Sequence, residues 1–148
     1  MIALLQRVTE AAVEVDGQII GSIAQGLMVL VGVEKGDDSE IAQRLADKLL
    51  KYRVFSDADD KMNLSVQDIQ GELLLVPQFT LAASTQKGLR PSFSSAASPA
   101  DGEALFNQFV SMVKNTNCPV QTGQFGADMK VSLVNDGPVT FWLQIPPK

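Results

Sequence analysis

The sequence contains no histidine among its 148 residues. Catalytic arrangements that pair a serine or cysteine nucleophile with an imidazole base are therefore excluded, and so is any zinc site with a histidine ligand. An enzyme built from this chain has to work without the side chain that normally titrates near neutral pH. A bound metal ion would have to be held by carboxylates, and we predict neither a metal ion nor any other cofactor.

Cysteine and long apolar runs are also scarce. The single cysteine, Cys118, excludes an internal disulfide and is typical of a reducing cytoplasm. Without a histidine to activate it, Cys118 is predicted to be a small buried hydrophobe and not a nucleophile. No apolar run approaches the roughly 18 residues that span a bilayer. The opening segment carries Arg7 and Glu10, which predicts a first strand and not a signal peptide. We therefore expect a cytoplasmic protein without a membrane partner.

Positive charge is in short supply, with 12 Lys and Arg against 17 Asp and Glu and a net charge of −5. This balance argues against a broad grip on a nucleic-acid duplex, and we predict no DNA partner. The acidic residues are unevenly placed along the chain. No Asp or Glu lies between Glu72 and Asp101, whereas this segment contains Lys87 and Arg90. That segment could accept a small anionic ligand, or it could be a plain solvated loop.

The patterns that are present predict a strand-rich α+β chain. Asp16-Gly17 between two alternating segments predicts a hairpin, and the apolar run "GLMVLVGV" predicts a central strand buried on both faces. Helical periodicity runs over residues 37–53, with Asp37 and Glu40 spaced as a capping box, and a second helix opens at Ser98-Pro99. We predict one domain over residues 1–148, with a barrel-like or two-layer mixed β core and two main helices packed on it.

One acidic loop invites a metal-binding interpretation. The segment "VFSDADDKMNLSV" holds three aspartates, as a calcium loop does. Lys61 and Met62, however, stand where an EF-hand loop needs an oxygen ligand and a glycine. The loop is therefore predicted not to bind calcium.

Two segments break the local rules for strands. "PQFTL", residues 77–81, and "NDGPVT", residues 135–140, each combine a proline in or beside a strand with a threonine just beyond it. Proline cannot donate to a sheet ladder, so an edge-strand proline and a tight turn are the simple explanations. Local rules also fail at functional sites. Composition alone favours the simple explanations, and only a likeness of the two segments to known proteins favours the functional one.

These segments carry a family resemblance. "PQFTLAA", then "KGLRPSFSSAASP", then "TGQFGADMKVSLVNDGPVTFW", resembles the D-aminoacyl-tRNA deacylases, and the likeness extends over nearly the whole chain. One position departs from the pattern, because the family usually has serine where this chain has Pro77. A hydroxyl and a backbone N–H are therefore missing from the motif. A related branch of deacylases carries proline there, but Phe79 keeps this chain with the main family.

The resemblance implies an activity and an assembly. Family members are homodimers that hydrolyse the ester joining a D-amino acid, or glycine, to the 3′-terminal adenosine of tRNA. The Gly137-Pro138 peptide bond would be cis and would enter the partner subunit's active site, where its carbonyl oxygens leave no room for an L side chain. A glycine at position 137 fits such a close approach of backbone to ligand.

The resemblance also implies the catalytic groups. The backbone N–H groups of Phe79 and Thr80 would stabilise the developing oxyanion, and Gln78 would line the pocket beside them. Either Thr80 acts as the nucleophile or the terminal 2′-hydroxyl of the tRNA helps to activate water. We favour the second route, because no residue offers an obvious base for Thr80.

Further binding residues follow from the same likeness. Phe125, Gly126 and Met129 would help to enclose the terminal adenine, although ordinary core packing is an equal alternative for Phe125 and Met129. Arg7 would support the dimer contact and the Gly-Pro loop, with a surface salt bridge as the alternative. Two other functions remain open: a deacylase shifted toward glycyl- or L-alanyl-tRNA by Pro77, and a catalytically silent dimer that binds RNA 3′ ends.

Overall fold

A computed structural model describes all 148 residues, and it contains eight strands, two α-helices and one 3₁₀ helix. The strands are β1 (Ile2–Val15), β2 (Gln18–Ile23), β3 (Gly26–Gly32), β4 (Phe55–Ser56), β5 (Met62–Leu64), β6 (Glu72–Pro77), β7 (Val120–Thr122) and β8 (Lys130–Gln144). The helices are α1 (Ser39–Lys51), the 3₁₀ helix (Phe79–Ala82) and α2 (Pro99–Lys114).

Six strands form one mixed sheet in the order β2-β1-β3-β6-β7, with β8 on the other side of β1. The long strand β1 pairs antiparallel with β3 along its first half, with β2 along its second half, and with β8 on its other edge. Strands β3, β6 and β7 run parallel. The two outermost strands of this order, β2 and β7, lie close to each other. A Cβ added to Gly21 of β2 would stand 3.0 Å from the carbonyl oxygen of Thr122 in β7. The sheet therefore curls into the predicted barrel-like form.

Strand β3 is the centre of the core, as its continuous apolar run predicts. Leu27, Val29 and Val31 face the larger apolar cluster, which also contains the buried faces of α1 and α2. Met28 faces a smaller cluster on the opposite side of the sheet. Alternate residues of a strand point to opposite faces, so a strand that is apolar throughout needs cover on both.

Helix α2 begins as predicted, but α1 does not. Ser98 caps α2 by accepting a hydrogen bond from the N–H of Asp101, and proline stands in the first turn. In α1 the cap is Asp38, which accepts from the N–H of Ile41 at 3.0 Å, so the predicted capping role of Asp37 is wrong. The carboxylate of Asp37 instead lies 2.9 Å from the ammonium group of Met1. Asp37 therefore forms a tertiary ion pair with Met1 and does not cap the helix.

Replacing Asp37 by alanine is expected to lower the free energy of unfolding by about 3 kcal/mol, because it removes the more buried of the two carboxylates that compensate the Met1 ammonium group and leaves only Glu34, at 3.1 Å. Neither the ammonium group nor the Asp37 side chain is exposed. Urea unfolding measures the change, and Asp47→Ala on the exposed face of α1 is the control. A loss no larger than that of the control would contradict this role for Asp37.

The acidic loop and the cysteine have structural roles. The carboxylate of Asp57 accepts hydrogen bonds from the N–H groups of Asp59 and Lys61, which holds the turn between β4 and β5 and lowers the pKa of Asp57. Cys118 is buried with its thiol donating to the carbonyl oxygen of Gly71, and burial raises its pKa to about 11. Cys118 is thus the buried hydrophobe that the sequence predicts.

Two further observations concern metals and membranes. No group of three or more His, Cys, Asp or Glu side chains is arranged to hold a metal ion. Neither α1 nor α2 has the length and apolar character required to cross a membrane.

Candidate active site

An apolar cavity of about 580 Å³ opens beside the 3₁₀ helix. Its walls come from the end of β6, the loop before α2, the first turns of α2 and the turn that precedes β8. Five residues that the sequence singles out line it, namely Pro77, Gln78, Phe79, Phe125 and Gly126. The fold therefore gathers two distant motifs around one space.

The motif Pro77–Thr80 is placed by β6 and by the start of the 3₁₀ helix. Strand β6 pairs with β3 as far as Pro77, and the N–H of Gln78 donates to the carbonyl oxygen of Val31 at 2.8 Å. The N–H of Leu81 then donates to the carbonyl oxygen of Gln78 and closes the first turn. The N–H groups of Phe79 and Thr80 precede this bond, so they have no acceptor within the helix.

The side chain of Thr80 is exposed, and the structure gives it an amide neighbour. The Gln78 side-chain amide donates a hydrogen bond to the Thr80 hydroxyl oxygen. An amide nitrogen has no lone pair available to remove a proton, so Gln78 cannot act as a base. This contact orients the hydroxyl without activating it as a nucleophile.

The opposite wall of the cavity is built on α2. The half-buried ring of Phe125 lies over Gly102, where a Cβ would stand 3.5 Å from the ring. Gly126 follows with a positive φ of 77° and turns the chain. Met129 does not line the cavity, because it packs against the smaller apolar cluster and its sulfur accepts from the N–H of Gln124. The position of Met129 is therefore that of a core-packing residue, which is the alternative that the sequence left open.

The Gly-Pro segment forms a bulge within a continuous strand. Val8 of β1 pairs with Asn135 and Gln6 pairs with Thr140, so residues 136–139 of β8 lie opposite Arg7 alone. The Gly137-Pro138 peptide bond is cis, and both residues are exposed. The strand is therefore not broken, and Gly137 and Pro138 project from it while Val139 turns back into the core.

Arg7 holds the base of this bulge. Its Nε donates to the carbonyl oxygen of Asp136 at 3.0 Å, and its Nη1 donates to the carbonyl oxygen of Val54 at 2.7 Å. The Asp136 carboxylate is 3.6 Å from Nε. A half-buried guanidinium that bonds two backbone carbonyls is a structural support, which is more than a surface salt bridge provides.

The structure does not bring all the predicted residues together. Besides Met129, four of them, Thr80, Gly137, Pro138 and Arg7, do not line the apolar cavity of their own chain, although Thr80 directly follows Phe79, which does. The structure also shows cavity-lining residues that the sequence interpretation missed, chiefly Phe93 and Lys35. Phe93 carries a signal that could have found it, as a lone aromatic residue in the Ser-rich stretch of residues 83–98. Lys35 carries none.

Comparison with known proteins identifies the family. Residues 4–144 match the sequence profile described as D-Tyr-tRNA(Tyr) deacylase. The chain belongs to this family. A D-aminoacyl-tRNA deacylase of Haemophilus influenzae strain Rd is 62% identical over 145 residues, covering 98% of this chain and 100% of the relative. One from Escherichia coli O81 is 59% identical with the same coverage.

Two solved structures share the fold of this D-Tyr-tRNA(Tyr) deacylase family member. The c-Myc DNA Unwinding Element Binding Protein superposes with a TM-score of 0.94 and 40% identity, covering 99% of both chains. A structure described as a "probable eukaryotic D-amino acid tRNA deacylase" has a TM-score of 0.84 and 17% identity, covering 97% of this chain and 98% of that one. The second likeness bears on the fold alone. The predicted family, the predicted deacylase class and the strand-rich α+β fold are confirmed.

Proposed function

We propose that this deacylase hydrolyses the ester between a D-amino acid, or glycine, and the 3′-terminal adenosine of tRNA. It acts as a homodimer in the cytoplasm, where charged tRNA is used, and it removes amino acids of the wrong chirality. The observation that carries the proposal is the apolar cavity, which joins an aromatic wall to Phe79, the first residue of the 3₁₀ helix.

The cavity suits a nucleoside ester. Its volume of about 580 Å³ lies within the roughly 300–1,000 Å³ of small-molecule sites. The ring of Phe125 offers a face for the adenine, and the N–H groups of Phe79 and Thr80 offer donors for the carbonyl oxygen of the ester. Donors aimed at a developing oxyanion contribute roughly 3–4 kcal/mol each where one has been removed.

The chirality gate is the bulge at Gly137-Pro138 of a second copy. Both residues are exposed and lie outside the cavity of their own chain, which leaves them free to enter another. Strand β8 pairs with β1 alone, and it exposes Trp142 by 51% and Val134 by 48% on either side of the bulge. An apolar free edge of this kind favours a contact between two copies.

Hydrolysis in this site relies on the substrate's own hydroxyl. The 2′-hydroxyl of the terminal ribose assists a water molecule, whose oxygen attacks the ester carbonyl carbon. The bond to the 3′-oxygen then breaks, and that oxygen takes up a proton as the amino acid leaves. The contact between Gln78 and Thr80 supports this route, because it supplies no base to the Thr80 hydroxyl.

Turnover of D-tyrosyl-, L-tyrosyl-, glycyl- and L-alanyl-tRNA in the presence of EDTA tests the proposed function. We expect hydrolysis of the D-tyrosyl and glycyl esters that survives chelation, with the L-tyrosyl ester left intact. Preference for glycyl- and L-alanyl-tRNA would instead favour the specificity shift, for which the position of Pro77 in the cavity wall is the structural argument. Binding of tRNA without release of amino acid above the buffer rate would show a silent binding module and refute the enzyme.

Replacing Thr80 by alanine is expected to lower kcat by less than about tenfold, which is about 1.4 kcal/mol in activation free energy. The backbone N–H remains in this variant, and only a hydroxyl that lacks a base is lost. Single-turnover hydrolysis of D-tyrosyl-tRNA measures the effect. Complete loss of turnover, with folding and tRNA binding intact, would contradict the water route and make Thr80 the nucleophile.

A further inference from the structure

Two phenylalanine rings are exposed at the mouth of the cavity. Phe79 is 61% exposed and Phe93 is 43% exposed, and their ring centroids are 5.3 Å apart with an angle of 49° between the planes. The pair is itself a favourable aromatic contact. Large apolar side chains that are exposed to solvent beside a cavity indicate a ligand-binding surface.

The loop that carries Phe93 is held in place by hydrogen bonds. Ser84 and Ser92 exchange two backbone hydrogen bonds of 2.8 and 2.9 Å, and the Ser95 hydroxyl donates to the carbonyl oxygen of Ala82. The N–H of Lys35 donates to the carbonyl oxygen of Ser95 at 3.0 Å. Ser95 thus ties the loop both to the 3₁₀ helix and to the segment after β3. Its ring is presented on a fixed support.

The charges around this ring favour an anionic ligand. No acid occurs between Glu72 and Asp101, whereas Lys87 and Arg90 are exposed on the same loop as Phe93. A third cation, Lys35, lines the cavity itself. Although the chain has a net charge of −5, the stretch between Glu72 and Asp101 carries only positive charges, which suits an anionic ligand such as a phosphate group.

We propose that Phe93, supported by Phe79, is a stacking surface for the nucleobase that precedes the terminal adenosine of the tRNA. The inference rests on the proposed function, which places that adenosine in the cavity. A spacing of 5.3 Å leaves no room for a base between the rings, so the base stacks on the outer face of Phe93. Lys87 and Arg90 then face the phosphates of the incoming strand. Such stacking tolerates any base, because every base has a π face.

The test compares two minimal substrates, the D-tyrosyl ester of adenosine and the D-tyrosyl ester of cytidylyl-(3′→5′)-adenosine. The second adds only the preceding nucleotide. In the wild type, kcat/KM for the dinucleotide ester is expected to exceed that of the mononucleotide ester by about tenfold, since stacking on an aromatic ring is worth ~1–3 kcal/mol per base. Phe93→Ala removes the stacking part of this advantage, so the ratio falls most of the way to one and only the contribution of the added phosphate remains.

Matched variants separate stacking from simple anchoring of the loop. Phe93→Trp keeps an aromatic face and is expected to keep the ratio, whereas Phe93→Leu keeps an apolar contact with Phe79 and is expected to lose it. Leu89→Ala is the control, since Leu89 is fully exposed in the same loop and does not line the cavity. Retention of the ratio in Phe93→Leu, or an equal loss for both esters in Phe93→Ala, would overturn the proposal.

A binding measurement keeps the inference testable if the esters are not hydrolysed. Calorimetry measures the affinities for adenosine and for cytidylyl-(3′→5′)-adenosine. The ratio of these two affinities reports on stacking in the same way as the ratio of kcat/KM values. Its loss in Phe93→Ala supports the stacking surface even where the proposed hydrolysis fails. Equal affinities of the wild type for the two ligands overturn the stacking surface even where D-tyrosyl-tRNA is hydrolysed.

Discussion

Replacing Gly137 by alanine is expected to lower kcat/KM for D-tyrosyl-tRNA by about 100-fold, because a displacement of about 1 Å in a positioning group has an effect of that size. A Cβ at this position would stand 2.7 Å from Val139 Cγ2 and 3.2 Å from Arg7 Nη2. The φ of Gly137 is +135°, which L residues rarely adopt. The bulge must therefore move, and its contact with Arg7 moves with it.

The same variant is expected to discriminate less well between the two enantiomers. If the bulge excludes L side chains, a displaced bulge admits them, so the ratio of D- to L-tyrosyl-tRNA hydrolysis falls. Steady-state hydrolysis of both esters measures the two effects together. Gly17→Ala is the matched control, because Gly17 also has a positive φ, of 80°, but has no atom within 4 Å of the added Cβ and lies in the β1–β2 turn.

Both glycine variants are expected to lose about 1–3 kcal/mol of unfolding free energy through backbone strain. Only Gly137→Ala should lose activity. An equal loss of activity in both variants would mean that strain and not the gate is responsible. Full activity and full selectivity in Gly137→Ala would remove the bulge from the mechanism altogether.

Replacing Phe79 by proline is expected to lower kcat by about 10²–10³-fold relative to Phe79→Ala, the effect of removing one oxyanion donor. Both variants lose the ring and its contact with Phe93, but only proline also loses the backbone N–H. Position 79 suits proline sterically, because it is the first residue of the 3₁₀ helix and the preceding Gln78 is extended, with φ −143° and ψ 90°.

The comparison of these two variants isolates the N–H group from the side chain. Rapid-quench single turnovers give the chemical step, and thermal unfolding shows that both variants are folded to the same extent. Values of kcat that agree within about tenfold, or 1.4 kcal/mol, would exclude the Phe79 N–H as an oxyanion donor. The Thr80 N–H would then be the remaining backbone candidate in this motif.

Local patterns predicted much of the fold. The hairpin at Asp16-Gly17, the buried strand β3 and the Ser98 cap of α2 all depend on residues within a few positions of one another. Their signals are therefore readable in a short window of sequence. The prediction went wrong at Asp37, where the competing partner is the Met1 ammonium group, 36 positions away.

The candidate site was predictable in part, because two motifs supplied five of the 15 residues that line the cavity. Pro77, Gln78, Phe79, Phe125 and Gly126 line one cavity, as the resemblance implies. Met129 lies behind that wall, and Gly137 and Pro138 lie outside it. Nothing in the residue pattern distinguishes a methionine that lines a cavity from one that packs behind it, since the same side chain suits both places.

The sequence by itself determined the chemistry that is available. Without histidine the protein has no imidazole base, and with one cysteine it has no internal disulfide. Such exclusions need no coordinates, because they depend only on which functional groups exist. The motif around Gly137-Pro138 likewise identified a special segment, although not what holds it.

Only the tertiary structure decided how those groups meet. Arg7 reaches the carbonyl oxygen of Asp136 across 129 positions, and Phe93 reaches Phe79 through a loop that the Ser84–Ser92 and Ser95 hydrogen bonds hold in place. The bulge at Gly137-Pro138 exists because β8 pairs with β1 on both sides of it, which fixes the surplus residues between two matched registers. These contacts arise from the pairing of distant strands, whose closure depends on the whole chain and leaves no local trace in the sequence.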